Sequence, residues 1–381
     1  MPRDSRPSLL VEDRLHRATV IDVVYPPSRG IIGLRGSQAP LSWDETMLPT
    51  ASLDDRHIFE LRIPDGEMLE LKLVRGDDEW ANGRNYTVHA GDHLHLEPAF
   101  ERATTQLLEP VVLDVDGAPF TYQVLLPPSY EEQDAKRYPV LYVQDGQSLW
   151  TSSNDPFGTW TLDATIDQLL ELAVIEELIV VAIDTSENRI ERLTPTEDPE
   201  YGGGGAAKHL AAMTDVLKPL IDRQLRTRSG PEDTGLMGSS LGGLFSFYAA
   251  WTRPDVFGKA ICLSSSFWWA NRHMIRTVES APSPAPRIYL DSGAALSASE
   301  LRAGAHDGFQ HTRSMHRKLG RIGYTHGHDL HRLTFPGQTH DASSWAARVA
   351  IPLQLHFTPP PLMEVPAAAV SVVDLDTADS M

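Results

Sequence analysis

The sequence predicts two domains, a small antiparallel β-sandwich followed by an α/β domain whose mostly parallel sheet is covered by helices on both faces. The chain has 381 residues, more than one typical domain, and 41% of them are hydrophobic, enough to bury a substantial core. Residues 18–97 are short apolar alternations separated by turns, as in "HIFELRIPDG" and "MLELKLVRGDD". From about residue 120, apolar strands alternate with helix-length segments, which is typical of a parallel sheet.

The order of these elements sets the expected domain boundaries. The second domain begins with the strands "TYQVLLP" and "YPVLYVQDG", a helix near residues 161–173 and the strand "LIVVAID". Residues 100–117 lie between the two patterns and are expected to be a linker region, with the boundary near residue 105. We therefore predict a β-sandwich domain with its linker over 1–105 and an α/β domain over 106–358. Residues 359–381, rich in proline and alanine, are expected to form a mobile tail.

Charge and composition restrict the partners. The chain has 52 acidic and 33 basic side chains, a net charge of -19, which argues against nucleic acid or a membrane surface as a partner. The first residues have no continuous apolar segment typical of a signal peptide, and no stretch approaches about 18 apolar residues, so we expect a cytoplasmic protein. The single cysteine, Cys262, lies in the apolar stretch "KAICLSS" and is predicted to be a core residue.

The stretch "GSSLG" contains the candidate nucleophile, Ser240. It follows a short strand, and the apolar run "LGGLFSFYAAW" that comes next predicts a buried helix. A serine at a sharp strand-to-helix turn needs glycines two residues before and after it, because backbone approaches backbone there, and Gly238 and Gly242 meet this need. The neighbouring Ser239 lacks such flanking glycines.

A histidine must supply the general base, and the chain has 15. His340 is the best candidate because it follows an alternating strand and a Pro-Gly turn in "LHRLTFPGQTHDASSW", which predicts a loop at the sheet edge. The cluster "THGHDLH" brings His326, His328 and His331 close in sequence, but it lacks the H-x-x-x-H spacing of hydrolytic zinc sites. We therefore expect solvated histidines there and no metal.

Three carboxylates between the nucleophile and the histidine are candidates for the third member of a triad. Asp291, Glu300 and Asp307 all follow an apolar strand, and each can orient an imidazole. Asp291 lies at or near the end of that strand, and Asp307 precedes an amphipathic helix that it could instead cap. The residue types alone leave this choice open.

Six separated motifs together resemble the Putative esterase family of α/β-hydrolases, which includes enterochelin (siderophore trilactone) esterases, feruloyl and acetyl xylan esterases, and mycolyltransferases. The resemblance covers about residues 120–357 and implies an α/β-hydrolase fold. The motifs are "YPVLYVQDGQSLW", "IVVAIDTSENRIERLTP", "LKPLIDRQLRT", "MGSSLGG", "SSSFWW" and "PGQTHDASSW".

This resemblance implies that Ser240 is the nucleophile and His340 the base. The family's acid usually ends a G-x-x-acid turn, but the turn that starts at Gly293 has no acid at that place, and an apparent insertion follows. The segment "HDGFQHTRSMHRKL" resembles the family's segment after the acid, which favours Asp307 over Glu300 and Asp291, with a Ser-His dyad as the remaining alternative. The oxyanion hole would be formed by the backbone N–H groups of Leu241 and Gln147.

The first domain carries a second resemblance, to a starch-binding-type carbohydrate-binding module. The matching stretches are "LRGSQAPLSWDE" and "ELKLVRGDDEWANGRN", and the sugar-platform positions would be Trp43, Lys72, Trp80 and Asn85. Exposed indoles stack on sugar faces, while lysine and asparagine bond hydroxyls. In siderophore-esterase-like proteins, however, such tryptophans also simply pack or gate a neighbouring active site.

We therefore interpret the chain as a serine esterase that forms an acyl-enzyme, needs no cofactor and takes a small-molecule ester as its substrate. The alternatives are a carbohydrate esterase (feruloyl or acetyl) that binds sugar through its first domain, an acyltransferase, and a non-catalytic glycan-binding protein. The stretches "SSSFWWANRHM" and "AIDTSENRIERL" resemble siderophore esterases more than xylan-linked ones. Trp268 and Trp269 would then form aromatic walls, and positive charge for an anionic catecholate would come from Arg189, Arg192 and Arg272. The alternative for the arginines is a solvated surface or an ion pair with a nearby glutamate.

Overall fold

The protein consists of two compact units. The computed structural model describes residues 16–294 and 307–359. In the described part, the first unit ends at Glu101 and the second runs from Arg102 to Pro359. The predicted tail, from residue 360 onwards, lies outside the described residues.

The first unit contains two small sheets that share one core. One sheet has the strand order β3-β4-β1-β8, and in the other β2, β6 and β7 join β5. Alternate residues of both sheets are buried in the same cluster, for example Phe59 and Leu71. The pairing is antiparallel except for β8, which lies parallel to β1. The strands are β1 (His16–Val24), β2 (Ile32–Gly36), β3 (Ala51–Leu53), β4 (Arg56–Pro64), β5 (Met68–Arg75), β6 (Glu79–Trp80), β7 (Tyr86–His89) and β8 (His93–Leu96).

A nine-stranded sheet forms the centre of the second unit, with the order β10-β11-β13-β12-β14-β15-β16-β17 and β9 beside β11. Strands β12 to β17 are mutually parallel, and β9, β10 and β11 are antiparallel to their neighbours. This arrangement confirms the predicted α/β-hydrolase fold. The strands are β9 (Gln106–Leu107), β10 (Val111–Val115), β11 (Ala118–Leu126), β12 (Val140–Gln144), β13 (Ile179–Ile183), β14 (Thr234–Ser239), β15 (Lys259–Leu263), β16 (Arg287–Ala294) and β17 (Leu330–Pro336).

The segment predicted as a linker is structured beyond residue 105. Residues 106–107 and 111–115 are strands of the large sheet. Val111 and Val112 are exposed, so this edge strand buries little apolar surface. This segment becomes a strand because it pairs antiparallel with β11 through a two-residue turn at Asp116 and Gly117.

Helices cover both faces of the large sheet. Alternate residues of β12 belong to two separate cores: Val140 and Tyr142 to one, Leu141 and Val143 to the other. The helices are α1 (Leu162–Glu171), α2 (Arg189–Leu193), α3 (Ala206–Ala211), which a π-helical segment (Ala212–Leu217) joins to α4 (Lys218–Gln224), α5 (Leu241–Thr252), α6 (Trp269–Thr277), α7 (Phe309–Arg321), α8 (Ala342–Ala346) and α9 (Ala350–His356). None of the helices in the described ranges is long and apolar enough to cross a membrane.

The topology brings several loops to one edge of this sheet. Because β12, β14, β15, β16 and β17 run parallel, the segments that follow them all leave from the carboxyl edge. These segments include Asp145, Ser240, Ser264 and His340. The candidate site therefore lies where ligands bind in open α/β sheets.

Candidate active site

Ser240 lies on a strained turn between β14 and α5. Its backbone has φ 54° and ψ -118°, values that side-chain-bearing residues rarely adopt. A Cβ on Gly238 would lie 2.5 Å from the carbonyl carbon of Gly242, so the strand can enter the helix this sharply only with glycine at that position. The turn exposes the Ser240 hydroxyl at the sheet edge and places it at the N-terminus of a buried helix.

The structure brings Ser240, His340 and Asp307 into one hydrogen-bonded chain. His340 Nε2 lies 2.9 Å from Ser240 Oγ, and His340 Nδ1 lies 2.5 Å from Asp307 Oδ1. The ring of Trp345 packs edge-on against the imidazole, with ring centroids 5.2 Å apart. This geometry lets Nε2 accept the serine proton while the carboxylate holds Nδ1–H and stabilises an imidazolium.

Asp307 is buried and fully engaged by hydrogen bonds. Its Oδ2 accepts the backbone N–H of Gly293 at 2.6 Å and the hydroxyl of Ser264. Burial alone would raise the pKa of Asp307, but the bonds from His340, Gly293 and Ser264 outweigh it and lower the pKa below its usual value. Asp307 is therefore a carboxylate at neutral pH.

Of the other two candidate carboxylates, only Asp291 belongs to the described residues, and no hydrogen bond joins it to His340 there. Asp291 is buried within β16, where its side chain accepts the Ser264 N–H at 3.0 Å and the Tyr289 hydroxyl at 3.2 Å. Glu300 lies outside the described residues. Backbone also packs tightly against the end of β16, since a Cβ on Gly293 would lie 1.9 Å from the carbonyl oxygen of Gln338. The residue that meets His340 accordingly comes from beyond the insertion.

The predicted oxyanion residues lie on two segments next to Ser240. Gln147 belongs to a short 3-10 turn, residues 146–148, that follows Asp145. Asp145 has a left-handed backbone (φ 62°) and forms a bidentate ion pair with Arg189, with N–O distances of 2.8 and 2.7 Å. Leu241 is the first residue of its helix, so its N–H has no intrahelical acceptor.

Two cavities flank the Ser240–His340 pair. The larger, about 690 Å³, is lined by Gln147, Trp160, Arg189 and Trp345 among others, with the exposed Phe157 at its wall. The smaller, about 430 Å³, is lined by Ser264, Ser265, Ser266, Trp268, Phe309 and His311 among others. Ser240 and His340 line both. An ester bond at Ser240 can thus have one substituent in each cavity.

Four of the residues predicted to bind substrate, Trp268, Trp269, Arg189 and Arg192, differ in their surroundings. Trp268 is 40% exposed and lines the smaller cavity, whereas Trp269 is buried and its indole N–H is donated to the Thr196 carbonyl at 2.8 Å. Arg189 lines the larger cavity, although Asp145 occupies much of its guanidinium. Arg192 lines a separate cavity of about 230 Å³ whose lining does not include Ser240 or His340.

The aromatic pair of the first unit lies at its surface. Trp43 is 36% exposed and Trp80 is 39% exposed, and their ring centroids are 6.1 Å apart at an angle of 56°. Lys72 Nζ donates to the Gly83 carbonyl at 2.7 Å, and Asn85 Nδ2 lies 3.3 Å from a carboxylate oxygen of Glu70. We call these residues, Trp43, Lys72, Trp80 and Asn85, the indole patch.

The predicted histidine cluster contains no metal-type geometry. His326 packs against His316 and His331, with ring centroids 5.4 and 6.4 Å apart. Across residues 16–294 and 307–359, no group of three or more His, Cys, Asp or Glu side chains is arranged to hold a metal ion.

We call the hydrogen-bonded chain of Ser240, His340 and Asp307 the relay. Sequence reasoning missed two buried side chains beside it, those of Ser264 and Arg348. Ser264 follows β15 with φ 45°, donates its hydroxyl to Asp307 and accepts the Trp345 indole N–H at 3.0 Å. Arg348 is fully buried between two helices. The available signal was a lone arginine inside the apolar run "WAARVAIPL", only eight residues after His340.

Comparison with known families shows the family of this chain. The family described as Putative esterase matches residues 117–351, more than half of the chain. The chain belongs to this family. It is therefore an enzyme, an esterase of the serine hydrolase type.

Three similar proteins share 27% sequence identity or less with this esterase. The uncharacterized protein YbbA of Bacillus subtilis is 27% identical over 211 residues, which cover 54% of this chain and 79% of the relative. The siderophore triacetylfusarinine C esterase of Aspergillus fumigatus is 27% identical over 158 residues, 40% of this chain and about half (53%) of the relative. Among solved structures, the enterobactin esterase of Shigella flexneri is similar with a TM-score of 0.50 at 14% identity and covers 86% of this chain and 88% of that one. At such identity the last comparison shows the fold alone.

Proposed function

We propose that the esterase is a carboxylic ester hydrolase that acts through Ser240, His340 and Asp307 on a siderophore-type or aromatic-acyl ester. The observation that carries the proposal is the hydrogen-bonded chain from Asp307 Oδ1 through the imidazole to Ser240 Oγ. Family membership supports the reaction type.

The proposed reaction has two halves. His340 Nε2 takes the Ser240 proton as Oγ attacks the ester carbonyl, and the oxyanion binds the backbone N–H groups of Gln147 and Leu241. The imidazolium, held by Asp307, then protonates the leaving alkoxide, and the ester C–O bond breaks to leave an acyl-enzyme. Water, deprotonated by His340, attacks the acyl carbonyl, and the acid leaves as Ser240 recovers its proton.

The chemistry of the two cavities supports an aromatic substrate. Indole and phenyl groups line both of them: Trp160, Trp345 and Phe157 in the larger, Trp268 and Phe309 in the smaller. Flat apolar walls of this kind favour stacking with an aromatic ring. The substrate of one similar protein, the triacetylfusarinine C esterase of Aspergillus fumigatus, is a siderophore, and it supports the siderophore class.

The charge of the larger cavity restricts the substrate further. Arg189 is its cationic residue, but Asp145, Asp155 and Asp341 line the same cavity. An anionic catecholate would therefore meet a single guanidinium that is already paired with Asp145. The smaller cavity has no carboxylate among those of its lining residues that the structure describes, so we expect an anionic group on that side.

The indole patch favours a second candidate, a carbohydrate esterase that binds sugar through its first unit. Trp43 and Trp80 present two tilted, partly exposed rings, and the same unit carries the amide of Asn85 and the ammonium of Lys72, groups that suit sugar faces and hydroxyls. In this candidate the ester would be a feruloylated or acetylated sugar.

A turnover panel tests both the reaction and the substrate. The purified full chain, with Ser240→Ala and His340→Ala variants, is given a catecholate trilactone, a feruloylated sugar and an acetylated sugar side by side, and acid release is followed by chromatography. We expect the trilactone to be hydrolysed fastest. We expect each variant to lose about 1,000-fold or more of kcat, because nucleophile and base act as one unit.

Two results would overturn parts of this proposal. Full activity of the Ser240→Ala variant, with an unchanged circular dichroism spectrum for both proteins, would exclude the serine mechanism. Preference for the acetylated sugar would leave the mechanism in place and replace the substrate by a sugar ester. Ser239→Ala is the matched control, since this neighbouring serine is buried in β14 and makes no hydrogen bond to His340.

A further inference from the structure

A buried arginine connects the acid of the relay to a second carboxylate. Arg348 Nη2 lies 3.1 Å from Asp307 Oδ2 and also donates to Ser264 Oγ. Its Nη1 donates to Gln338 Oε1 at 3.0 Å. On the other side, Arg348 Nε lies 3.1 Å from Asp291 Oδ2, at an angle that makes an ion pair and no hydrogen bond. All three charged side chains are fully buried.

The charges of this group do not balance in the resting enzyme. Asp307 and Asp291 carry two negative charges, and Arg348 carries one positive charge. The remaining negative charge is neutralised only when His340 becomes an imidazolium, as it does during the reaction. In a buried site such differences are worth far more than at the surface, because water does not screen them.

We propose that Arg348 is a positioning residue for the relay, and that Asp291 is the counter-ion that prevents Arg348 from cancelling the charge of Asp307. Arg348 and Ser264 hold Oδ2 of Asp307, which leaves Oδ1 directed at His340 Nδ1. This inference depends on the proposed catalytic role of Ser240, His340 and Asp307.

Few charged or polar groups face the carboxylate of Asp291. Facing it are the Ser264 N–H, the Tyr289 hydroxyl and the guanidinium of Arg348, with Asp307 and the thiol of Cys262 at longer range. Burial raises the pKa of Asp291 to about 6, against the opposing effect of Arg348. Arg348 is thus the only cation among the described groups that face it.

The pH dependence of kcat/KM separates positioning from a structural role. Asp291→Asn keeps the shape of the side chain but lets Arg348 cancel the charge of Asp307, which disfavours the imidazolium. We expect its acid limb to move to lower pH by about one unit or less, with a fall in kcat of about tenfold. In the double variant, Asp291→Asn with Arg348→Met, the net charge is restored, and we expect the acid limb to return toward that of the wild type.

Matched measurements keep the outcomes distinct. Asp222→Asn breaks another partly buried ion pair, that of Asp222 with Lys218 at 2.7 Å, and should lower thermal stability without moving the acid limb. The proposal is wrong if Asp291→Asn lowers thermal stability without moving the acid limb. It is also wrong if the acid limb of the double variant lies further from that of the wild type than the acid limb of the single variant does. Should Ser240→Ala stay active, the proposed function itself fails. An inactive Ser240→Ala with an unmoved acid limb in Asp291→Asn would contradict only the role of Arg348 and Asp291.

Discussion

At the carboxyl edge of the large sheet, the candidate catalytic side chains are held by strained or buried parts of the fold, whereas the side chains of the indole patch lie at the surface of the first unit. Ser240 has a positive φ of 54°, and Asp307 is buried under several hydrogen bonds. Trp43 and Trp80 are each more than a third exposed.

The two regions therefore differ in how much the surrounding structure must do to stabilise each side chain. A strained serine and a buried carboxylate persist only because the surrounding structure stabilises them, so such positions point to chemistry rather than to stability. Exposed indoles contribute little to the free energy of unfolding, so their removal changes the stability of the fold little. A binding surface of that kind can be tested by simple truncation, whereas the sheet edge requires isosteric changes.

The largest effect is expected for Asp307→Asn. Asparagine keeps the shape of the side chain but cannot stabilise an imidazolium and favours the wrong tautomer of His340, so kcat for a short p-nitrophenyl ester should fall by about 10,000-fold. Steady-state kinetics at fixed pH measure this.

Asp155→Asn is the control for that substitution. Asp155 lines the larger cavity, and its carboxylate accepts the Phe157 N–H at 2.8 Å, a bond that an asparagine oxygen can also accept. We expect a change in kcat of less than about threefold. A mild effect of Asp307→Asn, equal to that of Asp155→Asn, would instead favour a Ser-His dyad.

At the sheet edge, the sequence predicted the position of Ser240 better than the position of the acid. The position of Ser240 is encoded locally, because Gly238, Gly242 and the apolar helix are consecutive. The position of the acid is not, since residues 295–306 intervene between Gly293 and Asp307 and sequence spacing cannot show which carboxylate returns to the histidine. The resemblance, and not the residue types alone, favoured the carboxylate that the structure brings to His340.

Side-chain direction was harder still to predict. Trp268 and Trp269 are adjacent, yet one lines a cavity and the other packs inside, because the chain turns between them into a helix. Arg348 escaped attention because an arginine is rarely fully buried, and only its two carboxylate partners, distant in sequence, make burial possible.

A second prediction concerns the turn that carries Ser240. The Cβ of Gly238→Ala would lie 2.5 Å from backbone of Gly242, and backbone cannot move aside as a flexible side chain can. We expect a loss of about 2 kcal/mol or more in the free energy of unfolding, together with lost activity. Denaturant unfolding followed by far-UV circular dichroism measures the first, and ester turnover the second.

Gly320→Ala is the matched control for this substitution. Gly320 lies within the helix Phe309–Arg321, and its added Cβ would meet nothing within 4 Å. Because alanine has the higher helix propensity, we expect stability to rise by up to about 1 kcal/mol with unchanged turnover. Equal stabilities of the two variants would show that the turn at Ser240 is not tightly packed.

The smallest effect is expected at the indole patch. Truncation of Trp43 or Trp80 to alanine removes a half-exposed ring, so stability should fall by less than about 1 kcal/mol and turnover of a soluble short ester should stay within about twofold of the wild type. Leu53→Ala, an exposed apolar residue on the other sheet of the same unit, is the control.

Retention in gels that contain soluble starch then decides whether the patch binds sugar. Stacking on a sugar face requires the intact rings, so each tryptophan variant should migrate faster than the wild type and Leu53→Ala should not, if the carbohydrate-esterase candidate is correct. Equal migration of wild type and variants, with and without starch, would exclude a starch-type glycan at the patch and leave the siderophore-type ester as the stronger candidate. A tenfold loss of soluble-ester turnover in either tryptophan variant would contradict the expectation that the patch is dispensable for hydrolysis.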